Sequence, residues 1–290
     1  MKKITKIPRY FSRLFYQLYP MLKMLSFKRK LLYLMYCAKY FKEIFLNGRL
    51  LAADKKIAKD IGVIKLKNHS DNIVIPFREI EDKLSSFNKN DYCSLELIRE
   101  IFLNNEYLRY FKKSFNPQVV VDIGANRGFF SLLAHKKYNP KKLIKIEPQE
   151  FMSNIFSVVS SNNLLNKDSI SEYYSFCTAH PSTTHNFISI NTLFIKDQID
   201  QIDLLKMDIE GAEVDIFSDN TQWLEKCNNI TMELHFFDND TSFIPQLLRE
   251  YGFQIKLANL EGYEKPIEIL KKDPRRCCYL YASKNNQFGT

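Results

Sequence analysis

From Pro117 onward, seven short apolar runs recur, at 118–122, 142–147, 170–177, 203–208, 229–235, 253–260 and 277–283, with helical stretches between them. A strand that is followed by a helix tends to pair in parallel with the next strand, because a parallel neighbour needs a long crossover. The alternation therefore predicts a Rossmann-like α/β domain over 117–283, a mainly parallel sheet flanked by helices. No internal repeat competes with that reading.

The first run ends in VVVDIGANRGFF, 119–130: an apolar strand, an acid at its carboxyl end, then Gly124 and Gly128 opening a helix. Glycines let a ligand approach the backbone, and the helix start offers free N–H groups. A dinucleotide fingerprint wants GxGxxG, but Asn126 and Phe129 occupy its later glycine places. Hydride transfer is thereby disfavoured. The DxGxxxG arrangement suits a methionine moiety instead, with Asp122 near its ammonium group. A tight turn in which Asp122 bonds loop amides is the plainer alternative. In KLIKIEPQE, Glu147 ends the second strand, where an acid can accept from both hydroxyls of a ribose.

With VVVDIGANRG, KIEP and LLKMDIEGAEVDIF in this order, followed by ITMELHFF, the sequence resembles the FkbM family of methyltransferases over roughly residues 90–283. The resemblance implies a class I methyltransferase fold that uses S-adenosylmethionine to methylate hydroxyl groups, often on sugars or polyketide-like products. Carried over by position, Asp122, Gly124, Asn126 and Gly128 form the first cofactor loop and Glu147 holds the ribose. Family members commonly show Thr-Leu-Asp before the fourth strand, where this chain reads Thr192-Leu193-Phe194 with Asp197 three places on.

Ligands of open α/β sheets sit outside the carboxyl ends of the strands, near the switch point. Asp208 ends the fourth strand and His235 the fifth, so both are expected at the methyl acceptor: His235 takes the hydroxyl proton and Asp208 assists. Glu210, Glu213 and Glu233 are candidates for substrate contact. Glu210 and Glu213 equally suit a helix amino terminus, and Glu233 shares a strand face with His235. Asp208, Glu233 and His235 could also hold a divalent metal, but no resident metal is expected. His69, His135, His180 and His185 show no partner pattern.

Charge is unevenly spread. Residues 1–60 hold 15 Lys and Arg against Glu43, Asp54 and Asp60, a net +12, while the remainder of the +9 chain is −3. The chain is thus expected to divide into a basic amphipathic helical appendage (1–60), a connecting α+β segment (61–116) and the methyltransferase domain (117–283). Apolar spacing predicts one helix from Tyr10, divided or kinked at Pro20, and a second over Leu31 to Phe45, stopped by Asn47-Gly48. Two readings of this appendage stay open: a subdomain packed on the body, or an interfacial membrane helix. Leu31 to Ala38, the longest uncharged apolar run near the start, is far short of the roughly 20 residues of a membrane-spanning helix. Arg13 interrupts any secretory apolar region.

Six cysteines, Cys37, Cys93, Cys177, Cys227, Cys277 and Cys278, form no CxxC pair, which points away from zinc and disulfides and toward a reducing cytosol. The expectation is a cytoplasmic O-methyltransferase acting on a hydroxylated small molecule or glycan, with peripheral membrane contact through residues 1–60 and no nucleic-acid partner. The alternative is a non-catalytic protein of the same fold that binds a membrane or polyanion through its basic arm.

Overall fold

The computed structural model describes residues 6–47, 50–67, 72–86, 94–180, 186–236, 241–272 and 276–289. Gly48, His69, Cys93 and His185 lie outside the described residues. Two compact units form: one from residues up to 105 together with 158–163, the other from 106–157 and 164 onward.

In the first unit, α1 (Lys6–Met24) runs unbroken through Pro20. Of the two effects expected of Pro20, a division or a kink, division is absent: Met21 and Leu25, just beyond the proline, are buried, and that packing outweighs one missing backbone bond. The single helix expected over 31–45 is instead α2 (Phe27–Lys39) and α3 (Phe41–Asn47), broken at Tyr40. After α4 (Leu51–Ala58), β1 (Ile64–Lys67) and β2 (Asn72–Ile75) pair antiparallel, and α5 (Phe77–Ser86) and α6 (Ser94–Ile98) follow. A buried ion pair ties these helices together, Arg99 Nη2 to Asp54 at 3.1 Å, with the Tyr33 hydroxyl donating to the same carboxylate. Asn163 closes the unit by accepting from the Val74 N–H at 2.8 Å and donating to its carbonyl at 2.6 Å.

The second unit is built on a sheet. Its elements are β3 (Val119–Ile123), α7 (Phe129–Tyr138), β4 (Lys142–Ile146), the first part of α8 (Glu150–Asn162), β5 (Ile170–Tyr173), the short β6 (Phe176–Cys177) and β7 (Phe187–Ile188), α9 (Ile190–Lys196), β8 (Leu204–Met207), α10 (Glu213–Ser218), β9 (Asn229–His235), α11 (Ile244–Glu250), β10 (Gln254–Ala258), α12 (Ile267–Leu270) and β11 (Cys277–Ser283). Seven strands form one sheet in the order β10-β11-β9-β8-β3-β4-β5. β11 runs antiparallel to both its neighbours, and the pairs among β9, β8, β3, β4 and β5 are parallel.

Helices cover both faces of such a sheet, so its central strands bury nearly every residue, which is why they read as continuous apolar runs. Cys277 and Cys278 point to opposite faces of β11 and are both buried. The chain winds outward from β3 through β4 to β5, then returns to β3's other side as β8. That reversal opens a crevice at the carboxyl ends of β3 and β8, where Asp122, Gly124 and Asp208 are carried.

Candidate active site

The loop after β3 owes its shape to three left-handed residues, Gly124 at φ +69°, Asn126 at +50° and Gly128 at +72°. The two glycines are demanded by the protein itself. A Cβ on Gly124 would sit 1.7 Å from the Asp208 carbonyl oxygen, and one on Gly128 would sit 2.2 Å from the Phe156 ring. Gly124 and Ala125 both donate to the Ile146 carbonyl at 3.0 Å, tying the loop to the end of β4.

Glu147 follows β4. One carboxylate oxygen accepts from the Asn126 N–H at 2.9 Å and the other from the Gln149 N–H at 3.0 Å. A carboxylate has about four acceptor sites, so two remain for a vicinal diol.

Asp122 lies wholly buried beneath the loop. Its partners are Lys206 Nζ at 3.2 Å and the Ser131 hydroxyl at 2.6 Å, and Lys206 also donates to the Gly124 carbonyl at 2.8 Å. Asp122 thus holds the loop from below. Lys206 escaped the sequence reading, although a lysine inside the apolar run LLKMD signals a buried charge that needs a partner.

β8 and β9 are parallel neighbours and bring Asp208 and His235 together as expected. Nδ1 of His235 lies 3.0 Å from Glu213, while Nε2 lies 3.5 Å from Glu210 and 3.9 Å from Glu233. Glu213 is fully buried. The sequence suggested substrate contact for it, but such contact needs access, and this carboxylate orients the imidazole instead. Glu210 is exposed and left-handed, at φ +56° before Gly211 at +103°, so the turn after β8 swings its side chain toward His235.

Tyr107 was not legible as a site residue. Its hydroxyl donates to Asp208 at 2.8 Å, and its ring packs edge-on against Phe130 and Tyr279. Beside it Glu106 is buried and accepts from the Tyr279 hydroxyl. Asp197 is turned elsewhere, to Ser171, Tyr173 and Lys142. Exposed His180 pairs with Asp219 at 2.9 Å, and His135 is buried on α7.

Burial and the charge of Asp208 raise Glu233 to about 8. Burial works against a charged His235, yet the Glu213 hydrogen bond and the charges of Glu233, Glu213 and Asp208 overcome it and raise the imidazole to about 9. The ligating atoms of Asp208, Glu233 and His235 lie within 4.8 Å of one another, a set able to share protons or to hold a divalent ion.

Residues 183–255, which run from before α9 through Asp208, Glu213 and His235 into β10, match the family model described as Methyltransferase FkbM domain. This part of the chain is of the FkbM methyltransferase type. Its strand order, with one antiparallel strand inserted next to the edge, is that of the class I methyltransferases. The FkbM-type domain takes its methyl group from S-adenosylmethionine. The two acceptor sites left on Glu147 suit the ribose of that cofactor.

Among solved structures, the chain is similar to methyltransferase FkbM from Methylobacillus flagellatus KT, at 15% identity over 71% of this chain and 57% of that one, with a TM-score of 0.43. It is also similar to precorrin-6y C5,15-methyltransferase from Geobacter metallireducens GS-15, at 12% identity over 63% of this chain and 88% of that one, TM-score 0.42. A third is M. capricolum TrmK in complex with S-adenosyl-homocysteine, at 15% identity over 65% and 70%, TM-score 0.40. No curated protein matches the chain.

Proposed function

We propose that the FkbM-type domain methylates a hydroxyl group of a glycan or another polyhydroxylated molecule, with His235 as proton acceptor and Asp208 beside it. The observation that carries this reading is the Glu213–His235 pair at the carboxyl end of β9. A buried carboxylate on Nδ1 selects the tautomer that keeps its lone pair on Nε2, and it stabilises the imidazolium formed when Nε2 takes a proton. When bound, S-adenosylmethionine supplies an electrophilic methyl group. The chain's own task is to hold the acceptor oxygen in line and to remove its proton.

In this reading Gly124, Asn126 and Gly128 shape the cofactor loop, which Asp122 supports through Lys206, and Glu147 accepts from the ribose hydroxyls. Asp208, held by Tyr107, and the half-buried Glu233 accept from neighbouring hydroxyls of the acceptor, with Glu210 at the rim. Thiols at Cys37, Cys177 and Cys227 that form no disulfide support a cytoplasmic setting. Contact with a membrane is assigned to residues 1–60.

Transfer of labelled methyl from S-adenosylmethionine to a panel of oligosaccharides and lipid-linked sugars tests the proposal. Incorporation that resists base hydrolysis and is lost in His235→Ala supports an ether product. A protein that binds the cofactor but methylates no hydroxylated acceptor would instead be the non-catalytic binding protein.

A further inference from the structure

Among the described residues, nine of the seventeen large apolar side chains left exposed fall between positions 15 and 46. They are ordered by helix. Phe27, Leu31, Leu34 and Met35 recur at steps of four, three and one along α2, which places them on a single stripe. On α1, Phe15 and Tyr19 stack at 5.5 Å, and on α3, Phe41 and Phe45 stack at 5.9 Å beside exposed Leu46.

This apolar surface is surplus to the fold. The same three helices have an inner side of their own, with Met21, Tyr33 and Ile44 buried. A helix that is apolar on its packed side and again on its outer side has a second medium to meet. Met35 is 67% exposed and Phe27 76%, so neither contributes to the core.

The charge around the stripe names that medium. Lys23, Lys28, Lys39 and Lys42 are exposed on these helices, and Glu43 is the sole acid in the first 53 residues. We propose that the outer face of α1, α2 and α3 docks the protein on the surface of an anionic phospholipid bilayer. The aromatic and aliphatic side chains enter the acyl boundary while the lysines meet the headgroups. None of the described helices is long and apolar enough to cross a membrane, so the contact lies in the plane of the interface. A second copy of the chain is the poorer occupant, because it would set one lysine-bearing face against another.

Cosedimentation of the full chain with vesicles tests this. Binding is expected to phosphatidylglycerol–phosphatidylcholine vesicles, with little to pure phosphatidylcholine, and to weaken as salt is raised. Leu31→Ser with Met35→Ser is expected to lower the bound fraction, and Lys28→Glu with Lys42→Glu to lower it by about tenfold or more, since each lysine at the surface contributes about 1 kcal/mol. All four side chains are outside the core, so the melting temperature and S-adenosylmethionine affinity should hold. Failure of the native chain to bind anionic vesicles overturns the proposal, as does equal binding to neutral ones. A concentration-dependent dimer abolished by Leu31→Ser with Met35→Ser would assign the face to a second copy instead. None of these outcomes bears on methyl transfer, which the oligosaccharide assay reads separately.

Discussion

Nδ1 of His235 lies 3.0 Å from Oε1 of Glu213, and that carboxylate is wholly buried. One ring edge is therefore held by a fixed negative charge, while the other faces the end of β8 and the exposed Glu210. The pair arises because β8 and β9 are parallel neighbours and α10 starts five residues beyond Asp208.

If Nε2 is the proton acceptor, His235→Ala should lower turnover by roughly 10²–10⁴-fold, the usual range for a lost general base. Cofactor affinity should change little. Single-turnover rates and calorimetry on the same preparation check both halves, and a fully active variant removes His235 from the mechanism.

The pH profile carries a sign. Because the surrounding carboxylates raise His235 to about 9 and Glu233 to about 8, the resting imidazole holds its proton at neutral pH. A rate that needs the free lone pair should then climb as pH rises between about 7 and 9. Glu213→Gln removes the charge behind Nδ1, so the ascending limb should move to lower pH. A limb that stays in place in Glu213→Gln would show that another group sets it.

Cofactor binding should depend on Glu147. Two charge-assisted hydrogen bonds to a ribose diol are each worth about 1.5–3 kcal/mol, so Glu147→Ala should weaken S-adenosylmethionine by at least about tenfold. Gly124→Val should be as damaging for a different reason: its Cβ meets the Asp208 carbonyl and its φ is left-handed. Isothermal titration with S-adenosylmethionine, with NAD as the ligand expected not to bind, reads both variants.

The Asp122–Lys206 pair is buried on both sides. Removing one partner leaves an uncompensated charge, so Asp122→Leu should destabilise the protein by about 3–5 kcal/mol. Adding Lys206→Met to it should recover part of that loss, since no lone buried charge remains. Urea unfolding of the two variants measures the difference, and equal losses would argue against the pairing.

Chelation tests how the acid cluster is balanced. Proton removal by His235 needs no metal ion, so turnover should survive dialysis against EDTA. Loss of activity that magnesium or manganese restores would assign Asp208, Glu233 and His235 to a divalent ion.

The class of the second unit was written in the sequence because its signals are local. A run such as 229–235 is continuous because both faces of the strand are covered, and Gly124 and Gly128 mark a turn that a side chain cannot make. Asp208 and His235 could be set at neighbouring strand ends for the same reason: the order of elements implies the order of strands. Partner choice is not local. Tyr107 reaches Asp208 across 101 positions of chain, and nothing in the period of its own segment announces it. Glu213 could have capped α10, bound an acceptor or held His235, and burial against β9 alone decides among them. Asp122 likewise meets Lys206 only because β3 and β8 lie side by side. Periodicity and turn chemistry depend on neighbours in sequence, whereas the fate of a buried charge depends on which strands adjoin, and that relation exists only in the folded chain.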